Sequence, residues 1–340
     1  MRSFALCFCC ALLLALLAGC GGGISASTPP SLAGNTLPIS SKSASSSSLL
    51  YVLSANTSGP SIEAFRPTDD GNIAPLLRLF GPNSGLVNPL GIAVGPTGEV
   101  YVAENGTESV DVYPPRPNGD EPPTVALNCG SGIFNGPYRL AIAENTMFVT
   151  NSGTSGPLSN SVVIFGLPPE CSSANGTISG ADTGLQQPRG ITIDDNGLIY
   201  VVNPQDDGSV AVFAPGARND VAPKFVISGP NTLLRNANGI AVDHKGNIYV
   251  VTDHDNILVF APGSDGNATP CRRITGPHTG LSRPTGVAVG KAGFIYVANF
   301  AGNNVTVYGA TANGDASPIQ TIGGSNAEFN SVFDVAIYEP

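Results

Sequence analysis

One unit of about 48 residues recurs through this chain, and a fixed period of that size dictates a repeat architecture. The unit reads Pro-x-Gly-[Ile/Val]-Ala-Val, a short turn, Ile-Tyr-Val, a loop, then Val-x-Val-[Phe/Tyr]. Its first motif begins at Pro89, Pro137, Pro188, Ala237, Pro284 and, in degenerate form, Val332, with starts 47 to 51 residues apart. Each unit holds four short runs rich in Val, Ile, Tyr and Phe, the composition of pleated, half-buried strands. In the fourth full unit they span 239–242, 247–251, 256–260 and 272–275. The first two runs are joined by Asp243-His244-Lys245-Gly246, a hairpin turn with its glycine late, where positive φ is needed. No helical period appears after the first 20 residues.

Four antiparallel strands per unit, repeated six times, predict an all-β fold, a six-bladed β-propeller. An open row of such units would leave sheet edges bare, and closure into a ring protects them. The chain ends predict how closure occurs. The first unit starts with the Tyr-Val run at 49–53 and lacks a first strand, whereas the last has only a first strand, at 333–337. The C-terminal strand should therefore pair into the blade begun by the N-terminus.

These motifs, best seen in Pro284-Thr285-Gly286-Val287-Ala288-Val289, Ile295-Tyr296-Val297-Ala298-Asn299 and Val305-Thr306-Val307-Tyr308, resemble those of NHL-repeat and related six-bladed propellers. The resemblance covers 49–338. It implies the fold more than an activity, since one fold hosts many functions.

The domain reading is 1–19 as a signal peptide, 20–48 as a tether and 49–340 as the propeller. Arg2 precedes an apolar run that is too short for an ordinary span and has the layout of a secretory signal. Its end, Leu17-Ala18-Gly19-Cys20, resembles the lipobox of bacterial lipoproteins. That resemblance implies acyl chains on Cys20, strong enough together for stable anchoring. Residue 21 is Gly rather than Asp, which by the same resemblance favours the outer membrane in a Gram-negative host. The stretch after Cys20 is rich in Ser, Gly and Pro, with too few large apolar side chains to offset the entropy of ordering.

The net charge is −10, and only Arg272 and Arg273 form an adjacent basic pair. Nucleic acid is therefore a poor partner for the folded part. A lipid anchor is the only membrane contact expected, and the propeller is read as monomeric. Of seven cysteines, Cys129, Cys171 and Cys271 remain after the leader and Cys20 are set aside. Bridged Cα atoms must approach within about 7 Å. Topology puts Cys129 at one face of the ring, and Cys171 and Cys271 at the other, two blades apart. No internal disulfide is expected, Cys129–Cys171 being the one pairing that a bend in that blade would allow.

In a propeller, the loops before the first strand and after the second open on one face, around the central channel. Two rings of side chains should lie there. The first is Leu90, Tyr138, Arg189, Asn238, Thr285 and Phe333, and the second is Ser54, Glu104, Asn151, Asn203, Thr252 and Asn299. Tyr138, Arg189, Asn238, Asn151, Asn203 and Asn299 are the binding candidates. The recurring Asn residues are read first as hydrogen-bonding the adjacent loop backbone, and second as lining a polar ligand site. Arg189 could bind an anionic group or pair with Glu104. The resemblance to gluconolactonase-type propellers implies a metal at the channel; here Glu104, Asn151, Asn203 and Asn299 would be its ligands, with Ca²⁺ the ion, although a hard cation wants more carboxylates. Resemblance to streptogramin-lyase-like propellers implies a histidine acid/base, for which His254, between Asp253 and Asp255, is the best placed. The reading that follows is a binding or interaction scaffold with no cofactor, recognising a protein, glycan or small molecule. A metal-dependent hydrolase, lactonase or lyase at the channel mouth is the alternative.

Overall fold

The computed structural model describes residues 48–55, 59–130, 132–156 and 158–340. The leader, Cys20 and all of the tether except Ser48 lie outside the described residues. The chain builds blade I from β1 (Leu49–Ser54), β2 (Ser61–Phe65) and β3 (Leu77–Phe80), leaving its innermost position open. Blade II is β4 (Pro89–Val94), β5 (Val100–Glu104), β6 (Ser109–Tyr113) and β7 (Val125–Leu127). Blade III is β8 (Pro137–Ala143), β9 (Thr146–Asn151), β10 (Ser161–Gly166) and β11 (Ala174–Ile178). Blade IV comprises β12 (Ile191–Ile193), β13 (Ile199–Asn203), β14 (Ser209–Phe213) and β15 (Phe225–Ser228). Blade V comprises β16 (Ala237–Val242), β17 (Ile248–Thr252), β18 (Asn256–Phe260) and β19 (Arg272–Ile274). Blade VI comprises β20 (Pro284–Val289), β21 (Ile295–Asn299), β22 (Asn304–Tyr308) and β23 (Gln320–Gly323). The last strand, β24 (Val332–Tyr338), fills the vacant inner position of blade I.

The expected closure is present. β24 pairs antiparallel with β1, Leu50 opposite Ile337 and Val52 opposite Val335. The six inner strands β24, β4, β8, β12, β16 and β20 neighbour one another in a closed ring. Apolar packing between blades is the main contact that holds the ring. Every second strand is buried along its whole described length apart from the first residue of β9, because both of its faces meet a blade. The buried side chains fall into six apolar clusters, one at each blade interface. Burial of one large apolar side chain contributes about 1.5–3 kcal/mol, so this packing dominates the fold.

A second device works at the ring's outer edge. The loop between third and fourth strands climbs onto the outer strand of the preceding blade. In Asn118-Gly119-Asp120, Asn118 Oδ1 accepts from Arg78 N at 2.9 Å, Gly119 bridges Leu79, and Asp120 Oδ1 accepts from Asn83 N at 2.7 Å. The same clip recurs with Asp70-Gly71-Asn72 on Thr321 and Asn326, Asp265-Gly266-Asn267 on Val226 and Asn231, and Asn313-Gly314-Asp315 on Arg273 and His278. In blade IV, Asn219 stands in the glycine's place and Asp220 accepts from Asp182 N. The central residue has φ between 58° and 81° in all five, a left-handed conformation that Gly adopts freely and Asn tolerates.

Blade III lacks the clip, carrying Glu170-Cys171-Ser172 there. At that one interface Cys171 is bonded to Cys129 of blade II, with Cα atoms 5.2 Å apart. The sequence expectation of no internal disulfide is thus corrected. It took the loop before each outer strand to stay at the bottom of the ring, whereas these loops rise along the neighbouring blade.

Candidate ligand face at the channel mouth

The top face is defined by hydrogen bonds between the loop after each second strand and the loop entering the same blade. Asn105 N donates to Asn88 O, Ser152 N to Gly136 O, Asp253 N to Asn236 O, and Phe300 N to Arg283 O, at 2.9 to 3.2 Å. Second strands run from bottom to top and first strands from top to bottom. Ser48 and Pro340 therefore lie at the bottom face.

The channel itself is set by the third residue of the Pro-x-Gly motif. Four blades place Gly91, Gly190, Gly239 and Gly286 there. A Cβ on Gly190 would stand 2.5 Å from Asn238 O, and one on Gly239 2.7 Å from Thr285 O. The inner strands come so close that only glycine fits. Blades III and I depart from glycine with Arg139 and Asp334, two opposite charges. The two side chains meet as an ion pair, both nearly closed from solvent. Arg139 Nη2 also donates to Thr285 O at 2.8 Å, in the blade opposite its own, and to Phe333 O at 3.4 Å. Asp334 Oδ2 accepts from Ile92 N at 3.2 Å. Burial pushes the Asp334 carboxyl up, and the Arg139 guanidinium and the amides of Ile92 and Val335 pull it down. The pair plugs the lumen. Neither residue was singled out by sequence reasoning, although their departure from the repeated glycine was the available signal.

Above the plug, Tyr138, Arg189 and Phe333 of the first ring come together. The Tyr138 and Phe333 rings meet edge to face with centroids 5.9 Å apart, and Phe300 continues the row 6.1 Å from Phe333. Arg189 lies over Tyr138 at 5.5 Å and Arg283 over Phe300 at 5.1 Å. Arg139 supports the row from below, 5.4 Å from the Phe333 centroid. Asn238 is buried beside this rim; its Oδ1 has no hydrogen-bond partner. Thr285 donates to Phe333 O at 2.7 Å. Phe300, Arg283 and Arg139 were missed because loop residues and glycine replacements lie off the repeated motif.

The second ring does not reach the mouth. Glu104, Asn151, Asn203 and Asn299 are all buried, in four different blades, and their polar groups hold the entering loops. Glu104 Oε2 accepts from Val87 N and Asn88 N at 3.1 and 3.0 Å. Asn151 Oδ1 accepts from Asn135 N, and its Nδ2 donates to Ile133 O and Leu158 O. Asn203 accepts from Gln186 N and donates to Gly184 O, while Asn299 accepts from Ser282 N and donates to Asn304 and Thr306. Glu104 does not meet Arg189, whose guanidinium sits over Tyr138. Among the described residues, no three His, Cys, Asp or Glu side chains gather as a metal set.

His254 is exposed on the top-face loop of blade V, and its backbone N donates to Thr252 Oγ1 at 3.4 Å. Its neighbours point elsewhere: Asp255 Oδ1 accepts from Arg283 N at 2.6 Å, and Asp253 Oδ1 is buried without a partner. His244 pairs with Asp195 at the bottom face, and His278 with Asp315 in a clip.

Besides Asp334, three buried carboxyls lie in blades I and II. Burial raises Glu63 to about 7, against Ser61, Ser54 and Arg78, which lower it. Burial raises Glu104 to about 7, opposed by the amides of Asn88 and Val87, with Asp111 adding to the rise. Asp111 is raised to about 6 by burial.

No family model matches the chain, and no curated protein matches it. Among solved structures, a chain of the nidogen/laminin complex superposes with a TM-score of 0.60 at 16% identity, over 85% of this chain and 98% of its own. A protein of unknown function from Bacteroides caccae gives 0.60 at 11% identity, over 87% and 100%. Streptogramin B lyase gives 0.47 at 15%, over 76% and 74%, too slight to argue from. These likenesses define the class: a six-bladed β-propeller related to its neighbours by fold.

Proposed function

We propose that this propeller is an extracytoplasmic interaction scaffold, tethered through a lipid on Cys20 and binding its partner on the top face. The observation that carries the reading is the Arg139–Asp334 plug beneath a half-exposed row of aromatic and arginine side chains. With the lumen filled, a ligand has the surface to bind, and the surface offers large rigid rings flanked by cations. Such residues dominate binding hot spots. The Cys129–Cys171 bond suits an oxidising compartment outside the cytoplasm, in keeping with the signal-like leader. The folded part starts at the bottom face, so a membrane tether there leaves the top face free. A chain of this fold occurs in a nidogen/laminin complex. The hydrolase or lyase alternative lacks comparable support, because its proposed metal ligands lie buried in four different blades and hold the entering loops, with Glu104 Oε1 the one ligand oxygen among them left unpaired.

Photo-crosslinking tests the reading. Leu233 at the top and Phe294 at the bottom are both exposed, at 43% and 40%. A photoreactive residue at each, in the native envelope, should give adducts from position 233 and none from 294. Adducts from 294 alone would refute it. Acyl labelling that survives Cys20→Ser would refute the lipid anchor.

A further inference from the structure

Resting on the top-face reading, we infer that the ligand is a linear acidic polysaccharide, a uronate-type chain laid along the row Arg189, Tyr138, Phe333, Phe300, Arg283. Three features of the row select this chemistry. First, the three rings are half-exposed and meet edge to face, and their apolar surface suits the flat C–H face of a sugar. Second, a guanidinium sits at each end, over Tyr138 at 5.5 Å and over Phe300 at 5.1 Å. Arginine matches a carboxylate in planar, two-bond fashion. Cations at both ends of an apolar strip fit an anion repeated along a polymer, rather than one charged group on a small molecule. These arginines stand out in a chain of net charge −10, so overall charge does not account for anion binding there.

The third feature is hydrogen-bonding sense. Asn238 Oδ1 and Asp253 Oδ1, one blade beyond Arg189, are buried acceptors without donors. A buried acceptor left without a donor is costly. Sugar hydroxyls are donors of the kind these two oxygens lack. An acidic peptide offers carboxylates to the arginines but few donors for these oxygens. Asp253 and Asp255 also face this side and disfavour an anion that has no hydroxyls, so the arginine–carboxylate contacts act together with stacking and hydroxyl contacts.

The test is isothermal titration of the folded propeller with a polygalacturonate oligosaccharide, its methyl ester and poly-L-glutamate. The expected result is binding of the polygalacturonate, at least tenfold weaker binding of the ester, and at least tenfold weaker binding of poly-L-glutamate. Arg189→Gln, Arg283→Gln and Phe300→Ala should each weaken the polygalacturonate at least fivefold. Their melting curves should match the parent, which separates lost contacts from lost fold. Equal affinity for acid and ester, equal affinity for poly-L-glutamate, or no binding of polygalacturonate each overturns the inference. The crosslinking at position 233 is independent of the probe. Adducts there without glycan binding would sink the polysaccharide while leaving the top-face reading intact, and no adducts there would sink both.

Discussion

At the scale of single residues, charge is where this fold departs from its own repeat. Arg139 and Asp334 replace glycines at the narrowest part of the ring, and each needs the other. Removing one partner of a buried pair leaves an uncompensated charge and costs about 3–5 kcal/mol, whereas removing both for apolar groups of similar volume is often neutral. Arg139→Met should therefore lower the denaturant midpoint strongly, and adding Asp334→Leu should recover most of the loss. A double variant as unstable as the single would show the plug to be more than an ion pair. The sign of the pH dependence follows from Glu63, Glu104 and Asp111. Their folded values, about 7, 7 and 6, lie above those of an unfolded chain. The folded state then holds protons that the unfolded state has released. The stability they contribute is full below about pH 4, where the unfolded chain is protonated too, and is lost as pH rises to about 7. Melting in steps from pH 5 to pH 8 should show a falling midpoint, and Glu104→Gln should flatten the fall. Motif reading found Tyr138, Arg189 and Phe333, since a residue next to the repeated glycine must face the axis. It read the three Asn residues as bonds to adjacent loop backbone, which they make, but it did not find the burial of Glu104. That burial depends on how each entering loop folds back, and no period encodes it.

At the scale of elements, the blade interface is the unit that matters. Five interfaces are joined by the clip, whose central residue needs positive φ, and the sixth by Cys129–Cys171. The strands were legible because their composition repeats, with boundaries shifted by a residue or two: 247–251 is observed as Ile248–Thr252. The Asp/Asn-Gly-Asp/Asn triplets were equally repeated, yet their partner strand belongs to another unit, and a linear pattern does not name it. Hence the sequence reading expected no disulfide, with Cys129–Cys171 only as the pairing a bend would allow, while the strands beside it were plain. A bridge across 42 residues restricts the unfolded chain by about 4 kcal/mol on the loop-entropy account. Reductant, or Cys171→Ser, should lower the melting temperature markedly. Grafting an Asn-Gly-Asp triplet over residues 170–172 of the serine variant should restore part of it. If reduction leaves the midpoint unmoved, the bridge does not substitute for the clip.

At the scale of the whole molecule, closure is a question of connectivity against geometry. β24 is the last strand in the sequence and the innermost strand of the first blade, so both interfaces of blade I, and with them closure of the ring, depend on one strand. Deleting residues 332–340 bares the edge of β1 and removes Asp334 from beneath the rim, leaving Arg139 buried without its counter-charge. Loss of cooperative unfolding, and association through the bare edge, should follow. Such a result alone could reflect any damage to the core. A circular permutant isolates the cause. Leu49 lies opposite Tyr338 in the β24–β1 pair, so a short glycine-containing turn from the C-terminus to Ser48 makes an ordinary inner hairpin like those of the other five blades. New termini opened in the loop between β23 and β24 leave every strand pair in place. This permutant should melt within a few degrees of the parent, because the linker changes the order of the chain and not the ring. If it unfolds as the truncation does, the strand's place at the end of the chain is itself required, and the description of six equivalent blades fails.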